Sequence, residues 1–184
     1  MAQSQPATNI DHGAVQVVAT LKVEGMPGES LLKGHENEID VLDWAWGAVH
    51  PASMTGGGLS SGKVEIKEFR ITKFVDKASA NLIKALCSGK HIAKVVFSAC
   101  KNTGASTVQD FLKITLTDAV VTRYATGLNV MPHDPGALAN QFYYNELVSF
   151  ACTNIDYDYK LQNKDGTLSS AGTASHNARL REAA

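Results

Sequence analysis

Residues Gly57 to Lys63 read GGLSSGK and carry the G-x-x-x-x-G-K spacing with which a glycine-rich loop cradles phosphates. In such a loop the residue after the lysine is Ser or Thr, which holds magnesium, and a helix follows to aim its N-terminus at the phosphates. Here Val64 takes the place of the hydroxyl and a strand-like run follows, which argues against nucleotide binding. Asp156 and Asp158 form a D-x-D pair of the kind that can hold a divalent ion in transferases. They alternate with Ile155, Tyr157 and Tyr159, which assigns them to the solvated face of a strand. The histidines at positions 12, 35, 50, 91, 133 and 176 show no HxH or HExxH spacing, so no metal site is expected. Cys87, Cys100 and Cys152 are odd in number and share no CxxC spacing, and they read as free thiols of a reducing cytoplasm. No GxSxG is present and no cysteine stands out with a paired base. The chain does not read as an enzyme, and no cofactor is expected.

The elements that must position these residues are mostly extended. Glu38 to Phe74 holds both tryptophans of the chain. At the strand period of two, Trp44 and Trp46 share one face, with Ile39, Val41 and Leu42 leading in, and Ala45 points the other way. Two indoles on one face bury roughly 400 Å² or more, so this strand lies over a core. The following loop, Pro51 to Gly62, carries four glycines. It is longer than the two to five or so residues a hairpin needs, and is expected to be mobile or ordered by something outside the protomer.

Val15 to Val23 reads as a strand ended by the Gly25-Met26-Pro27-Gly28 cluster. Lys63 to Val75 reads as another whose alternation slips. Val64 and Ile66 share one face while Phe69, Ile71 and Val75 share the other, which implies a β-bulge near Lys67–Glu68. Asp76 to Gly89 reads as a helix, with Ser79 as N-cap, a stripe of Leu82, Ile83, Leu86 and Cys87, and Gly89 as the C′ stop. Lys94–Cys100, Val108–Tyr124 and Glu146–Lys160 are further strands. In the second of these Leu112, Ile114, Leu116, Val120 and Tyr124 face one way. In the third Val148, Phe150 and Cys152 hand over to Ile155, Tyr157 and Tyr159. Residues 127–140 form a loop. Residues 1–13 are a flexible arm, 14–162 a single β-rich domain, and 163–184 a polar, loosely packed tail. The fold is mainly β with one helix, a compact antiparallel barrel or sandwich.

Net charge is −1, from 17 basic and 18 acidic side chains. That balance argues against a nucleic-acid partner, which is held by clustered Lys and Arg, and lets like subunits meet without strong repulsion. No apolar run approaches the ~20 residues that cross a bilayer, and the N-terminus lacks the basic region of a signal peptide.

With the strands placed, several segments are similar to a known family. EIDVLDWAWG (Glu38–Gly47), the loop ending SGKVEI, FRITKFVDKASANLIKALCSGKH (Phe69–His91), the GES turn at Gly28–Ser30, KITLTDAVVTRYATG (Lys113–Gly127) and NIDYDYKLQNKDG (Asn154–Gly166) resemble the haemolysin-coregulated proteins (Hcp). These are inner-tube subunits of bacterial type VI secretion systems. The resemblance covers residues 15–166 and implies a compact antiparallel β-barrel of two sheets flanked by one α-helix. It further implies homohexameric rings that stack, contacts with the spike protein and sheath, and small effector proteins in the lumen. Such a subunit is cytoplasmic before assembly and is then secreted without a signal peptide. On this reading Trp44, Trp46, Leu112, Ile114 and Leu116 belong to the barrel core and Ala45 faces the lumen. Thr55, Gly56, Gly57, Gly58, Leu59 and Ser60 make the ring-to-ring contact. The N-terminal arm is longer than the family's, and the end after Gly166 lacks an aromatic final strand. Two alternatives are a phage-type contractile tail-tube protein and a small-ligand-binding barrel whose pocket the tryptophans line.

Overall fold

In the computed structural model, residues 17–55, 58–61, 64–102, 108–127 and 144–177 are described. The arm at 1–13 and the expected loop from 128 onward lie outside them. In chain order the strands are β1 (Val17–Val23), β2 (Ile39–Val41), β3 (Asp43–Ala45), β4 (Ala48–Val49), β5 (Ala52–Thr55), β6 (Gly58–Ser61), β7 (Glu65–Ile66) and β8 (Phe69–Phe74). Helix α1 (Ser79–Ser88) follows, and then β9 (His91–Lys101), β10 (Gln109–Gly127), β11 (Asn145–Gln162) and β12 (Leu168–Asn177).

Eight strands join in one antiparallel sheet, in the order β2-β1-β9-β10-β11-β8-β3, with β12 added along the far part of β11. The two ends of that order are consecutive pieces of one stretch of chain. Ile39–Val41 pairs with β1 and Asp43–Ala45 pairs with β8, with Leu42 between them donating its N–H to the Thr72 carbonyl. The sheet therefore wraps around on itself. The alternation of β1, β8, β9 and β10 sends Leu21, Phe69, Ile71, Phe97, Ile114 and Leu116 into the enclosed space, all at most 1% exposed.

Several details depart from what the sequence pattern suggests. In β10 the inward face runs through Leu112, Ile114 and Leu116 and then changes phase to Ala119 and Val121, so Val120 is not a core residue. The cause is Asp118, whose φ of 52° is left-handed and turns the strand by one position. Its carboxylate bonds Thr153 Oγ1 and His91 Nδ1 at 2.7 and 2.6 Å, which holds that conformation. In β8 the inward position two beyond Ile71 is filled by Lys73, fully buried, while Val75 is exposed. The predicted slip at Lys67–Glu68 is where β7 ends and β8 begins.

The helix starts at Ser79, with Ala78 as its cap residue, so Ser79 is not the N-cap. Asp76 instead accepts from the Ala78 N–H at 2.9 Å, and Ser79 Oγ accepts from the Asp76 N–H at 3.0 Å. The buried stripe is Ser79, Leu82 and Ala85; Ile83 and Cys87 face outward. Gly89 ends the helix as the sequence indicates, left-handed at φ 60°, with Lys90 N–H bonded to Ala85 O and Gly89 N–H to Leu86 O. Residues 163–177 are not a loose tail. They turn through Asn163–Thr167 and run back as β12, an edge strand with mostly exposed side chains.

Candidate functional site

Three parts of the molecule concentrate its assembly and chemical potential. One is the stretch from Asp43 to Ile66, which leaves the wrapped sheet and returns to it. Trp44 is half-buried against Phe69 (centroids 6.1 Å, planes 19° apart) and Phe97 (4.8 Å). Trp46 is half-buried on the same core, and its indole N–H finds no partner among the described residues. Ala45 between them is exposed and pairs in register with Arg70. Arg70 is opposite Ser149, which is opposite Arg123, so Ala45 heads a cross-strand row holding two exposed arginines. The outer face around Ala45 is thus basic.

Beyond Ala45 the chain forms a two-stranded arm. Ala48–Val49 pairs with Glu65–Ile66, and Ala52–Thr55 pairs with Gly58–Ser61. Pro51, which has no N–H to donate, sits between the two ladders. The segment expected as an open loop is therefore largely a β-ribbon. Thr55 pairs with Gly58, Leu59 with Met54 and Ser60 with Ser53, while Gly56 and Gly57 lie outside the described residues. A strand at Gly58–Ser61 is incompatible with a phosphate-cradling loop. Among the described residues β5 and β6 pair with each other and with no strand of the main sheet.

The second part is a buried charge cluster where α1 meets the sheet. Lys73 Nζ lies 2.8 Å from Asp76 Oδ1 and 2.7 Å from Glu146 Oε2, and donates to Phe74 O at 2.7 Å. Ser79 Oγ donates to Glu146 Oε2 at 2.7 Å, and the Tyr124 hydroxyl donates to Glu146 Oε1. Burial, followed by the Glu146 carboxylate, pushes the Tyr124 phenol above its ordinary value. Each polar group here has partners, as its burial requires.

The third part gathers His35, Cys100 and Asp110. His35 sits in the turn leading to β2, Cys100 on β9 and Asp110 on β10, where Cys100 and Asp110 are register partners. His35 Nε2 is 2.9 Å from Asp110 Oδ1 and 3.4 Å from Cys100 Sγ, and that thiol donates to Asp110 Oδ1 at 3.1 Å. His35 Nδ1 is 2.9 Å from Glu38 Oε2, which also accepts from Thr20 Oγ1 at 2.7 Å. Lys113 Nζ holds the other Asp110 oxygen at 2.9 Å. Burial, then the Asp110 carboxylate, drives the Cys100 thiol far above its ordinary value. Burial alone would raise the Asp110 carboxyl, but bonds from Lys113 and Cys100 outweigh it and hold the group below its usual range. Cys152 is pushed up to about 11 by burial. Spacing along the sequence signals neither polar cluster.

Of the other residues singled out from sequence, Leu112, Ile114 and Leu116 lie buried in the core. Asp156 is exposed and Asp158 partly so; they stand opposite Thr115 and Lys113 on β10.

The chain matches the family described as Type VI secretion system effector, Hcp, over residues 20–159. It is 32% identical to protein hcp1 of Pseudomonas aeruginosa over 147 residues, covering 79% of this chain and 85% of that protein. It is 26% identical over 151 residues to the major exported protein of the same organism, covering 82% and 86%. Among solved structures, a type six secretion system protein superposes with a TM-score of 0.74 at 25% identity, covering 88% of this chain and 95% of that one. Hcp1 from Salmonella typhimurium superposes at 0.66 with 28% identity, covering 88% and 94%. A wrapped antiparallel sheet with one flanking helix among the described residues, matched over most of its length in sequence and shape, places this chain in the Hcp family of type VI secretion tube proteins.

Proposed function

We propose that this chain is the ring-forming subunit of a type VI inner tube. Protomers close into homohexameric rings, the rings stack through the arm at residues 48–66, and the tube is exported within the sheath and beneath the spike, carrying small effectors in its lumen. The carrying observation is that β5 and β6 form a ladder apart from the main sheet. Ordering such an arm costs conformational entropy, and docking on a neighbouring ring offsets that cost. A second support is β12, which pairs with β11 along one edge and leaves its other edge for a neighbour. The role is structural rather than enzymatic. The ligand-binding barrel has little in its favour, because Leu21, Phe69, Phe97, Ile114 and Phe150 already fill the interior.

Deleting Thr55–Ser60 tests the arm. Rings should persist in light scattering and negative-stain microscopy while stacked tubes disappear. A variant that still builds tubes would remove the arm from the stacking contact. A monodisperse monomer of the unaltered chain at micromolar concentration would overturn the ring itself.

A further inference from the structure

We propose that His35, Cys100 and Asp110 form a binding site for a divalent transition metal of the zinc type. The three side chains offer one nitrogen, one sulfur and one oxygen, a donor set that suits zinc and disfavours magnesium or calcium. Their ligand atoms converge on one another: Nε2 to Oδ1 is 2.9 Å, Sγ to Oδ1 is 3.1 Å and Nε2 to Sγ is 3.4 Å. Around a tetrahedral zinc with bonds of about 2.0–2.3 Å, such atoms stand about 3.3–3.6 Å apart. Side-chain adjustments of a few tenths of an ångström would therefore admit the ion.

The supporting residues point the same way. Two ligands face each other across the β9–β10 ladder, so the backbone fixes their spacing. The third is held by a clamped turn, in which Gly28 N–H bonds Asn37 O at 2.7 Å and Ser30 N–H bonds Glu38 O at 2.9 Å. With Nε2 turned toward the metal, Nδ1–H donates to Glu38, and Thr20 fixes Glu38 in turn. A carboxylate behind a histidine is the arrangement that orients metal-bound imidazoles. Lys113 and Ser98 occupy the second oxygen of Asp110, which leaves Oδ1 as the inward-facing donor.

A thiol is a weak hydrogen-bond donor, and serine would serve a purely hydrogen-bonded cluster better. As a ligand, by contrast, sulfur binds as thiolate. Zinc would release the Cys100 proton, and the thiolate and carboxylate together would neutralise the ion's two positive charges. His35 and Asp110 keep 11% and 18% side-chain exposure, so the fourth position opens toward solvent and suits water. Bound metal would tie the turn before β2 to the β9–β10 pair.

The test uses chelator-treated full-length protein carrying Cys87→Ser, which removes the exposed thiol. Added Co²⁺ should produce a thiolate-to-cobalt charge-transfer band that saturates near one equivalent and is displaced by Zn²⁺. Cys100→Ser should abolish the band, and Cys152→Ser should retain it. Glu38→Gln leaves all three ligands in place, so it should keep the band with affinity lowered about tenfold. Zn²⁺ should raise the melting temperature of the protein with Cys100 intact and leave Cys100→Ser unmoved. Absence of the band in the Cys87→Ser protein, or its survival in Cys100→Ser, would overturn the site and leave a hydrogen-bonded cluster in its place.

Discussion

Lys73 and Glu146 stand directly opposite each other on β8 and β11, with Nζ 2.7 Å from Oε2 and both residues at most 1% exposed. The pair sits beneath α1 and is completed by Asp76, Ser79 and Tyr124. Removing the cation alone leaves two carboxylates buried without it. Lys73→Met should therefore cost about 3–5 kcal/mol in urea unfolding, and Lys73→Met with Glu146→Leu should cost less than Lys73→Met alone.

Tyr124 supplies a pH dependence. Its phenol titrates above the ordinary value of about 10 because it is partly buried and donates to Glu146. A raised folded value means that its contribution to stability is fully present below about pH 10 and is lost as pH rises through the folded value. Stability should decline more steeply in alkali for the unaltered chain than for Tyr124→Phe. Parallel denaturant curves on the two proteins above pH 10 would contradict this.

Gly28 carries a packing prediction. A Cβ there would lie 2.7 Å from Ile39 Cα and closer still to the Glu38 carbonyl, contacts with backbone that cannot swing away. Gly28→Ala should destabilise the fold by about 1–3 kcal/mol, and it should loosen the turn that holds His35. Thermal unfolding measures the first effect, and hydrogen exchange at Asn37 and Glu38 the second.

Ala45 and Trp44 separate surface from core. Ala45→Arg adds a third cation to the Arg70–Arg123 row and should leave folding and rings intact while reducing cargo binding or secretion. Trp44→Ala removes the contacts with Phe69 and Phe97 and should cost about 3–5 kcal/mol. If Ala45→Arg unfolds the protein and Trp44→Ala is silent, the strand faces the other way.

The strands of the main sheet other than β12, the helix and its stop at Gly89 were legible because each rests on local chemistry, periodicity for the first two and left-handed backbone for the last. Errors arose where one residue overrode the local pattern. Asp118 shifted the phase of β10, and β8 ended at Phe74 with Lys73 in its last inward position, which left Val75 exposed beyond it. Ile83 and Cys87 were placed on the buried stripe because they are apolar, whereas the helix rolls toward the smaller Ser79 and Ala85 to meet the polar cluster. β12 was invisible because an edge strand with exposed side chains needs no apolar alternation. The His35–Cys100–Asp110 group lacks any short spacing: Cys100 and Asp110 meet through hairpin register, and His35 is 65 residues from Cys100.

The stretch Ile39–Ala45 supplies both ends of the sheet order, pairing with β1 at one and with β8 at the other, and this makes it the latch of the wall. Other joints of the wall connect residues far apart in sequence, such as Lys73 and Glu146 at a separation of 73. These long-range pairings form slowly, because chain closure must be met before contacts reward it. The latch can engage both neighbours only after β1 and β8 have been brought within reach by the strands between them. The arm begins where the latch ends, so its base acquires a fixed direction only at that moment. A subunit whose wall has not closed thus presents no aligned arm.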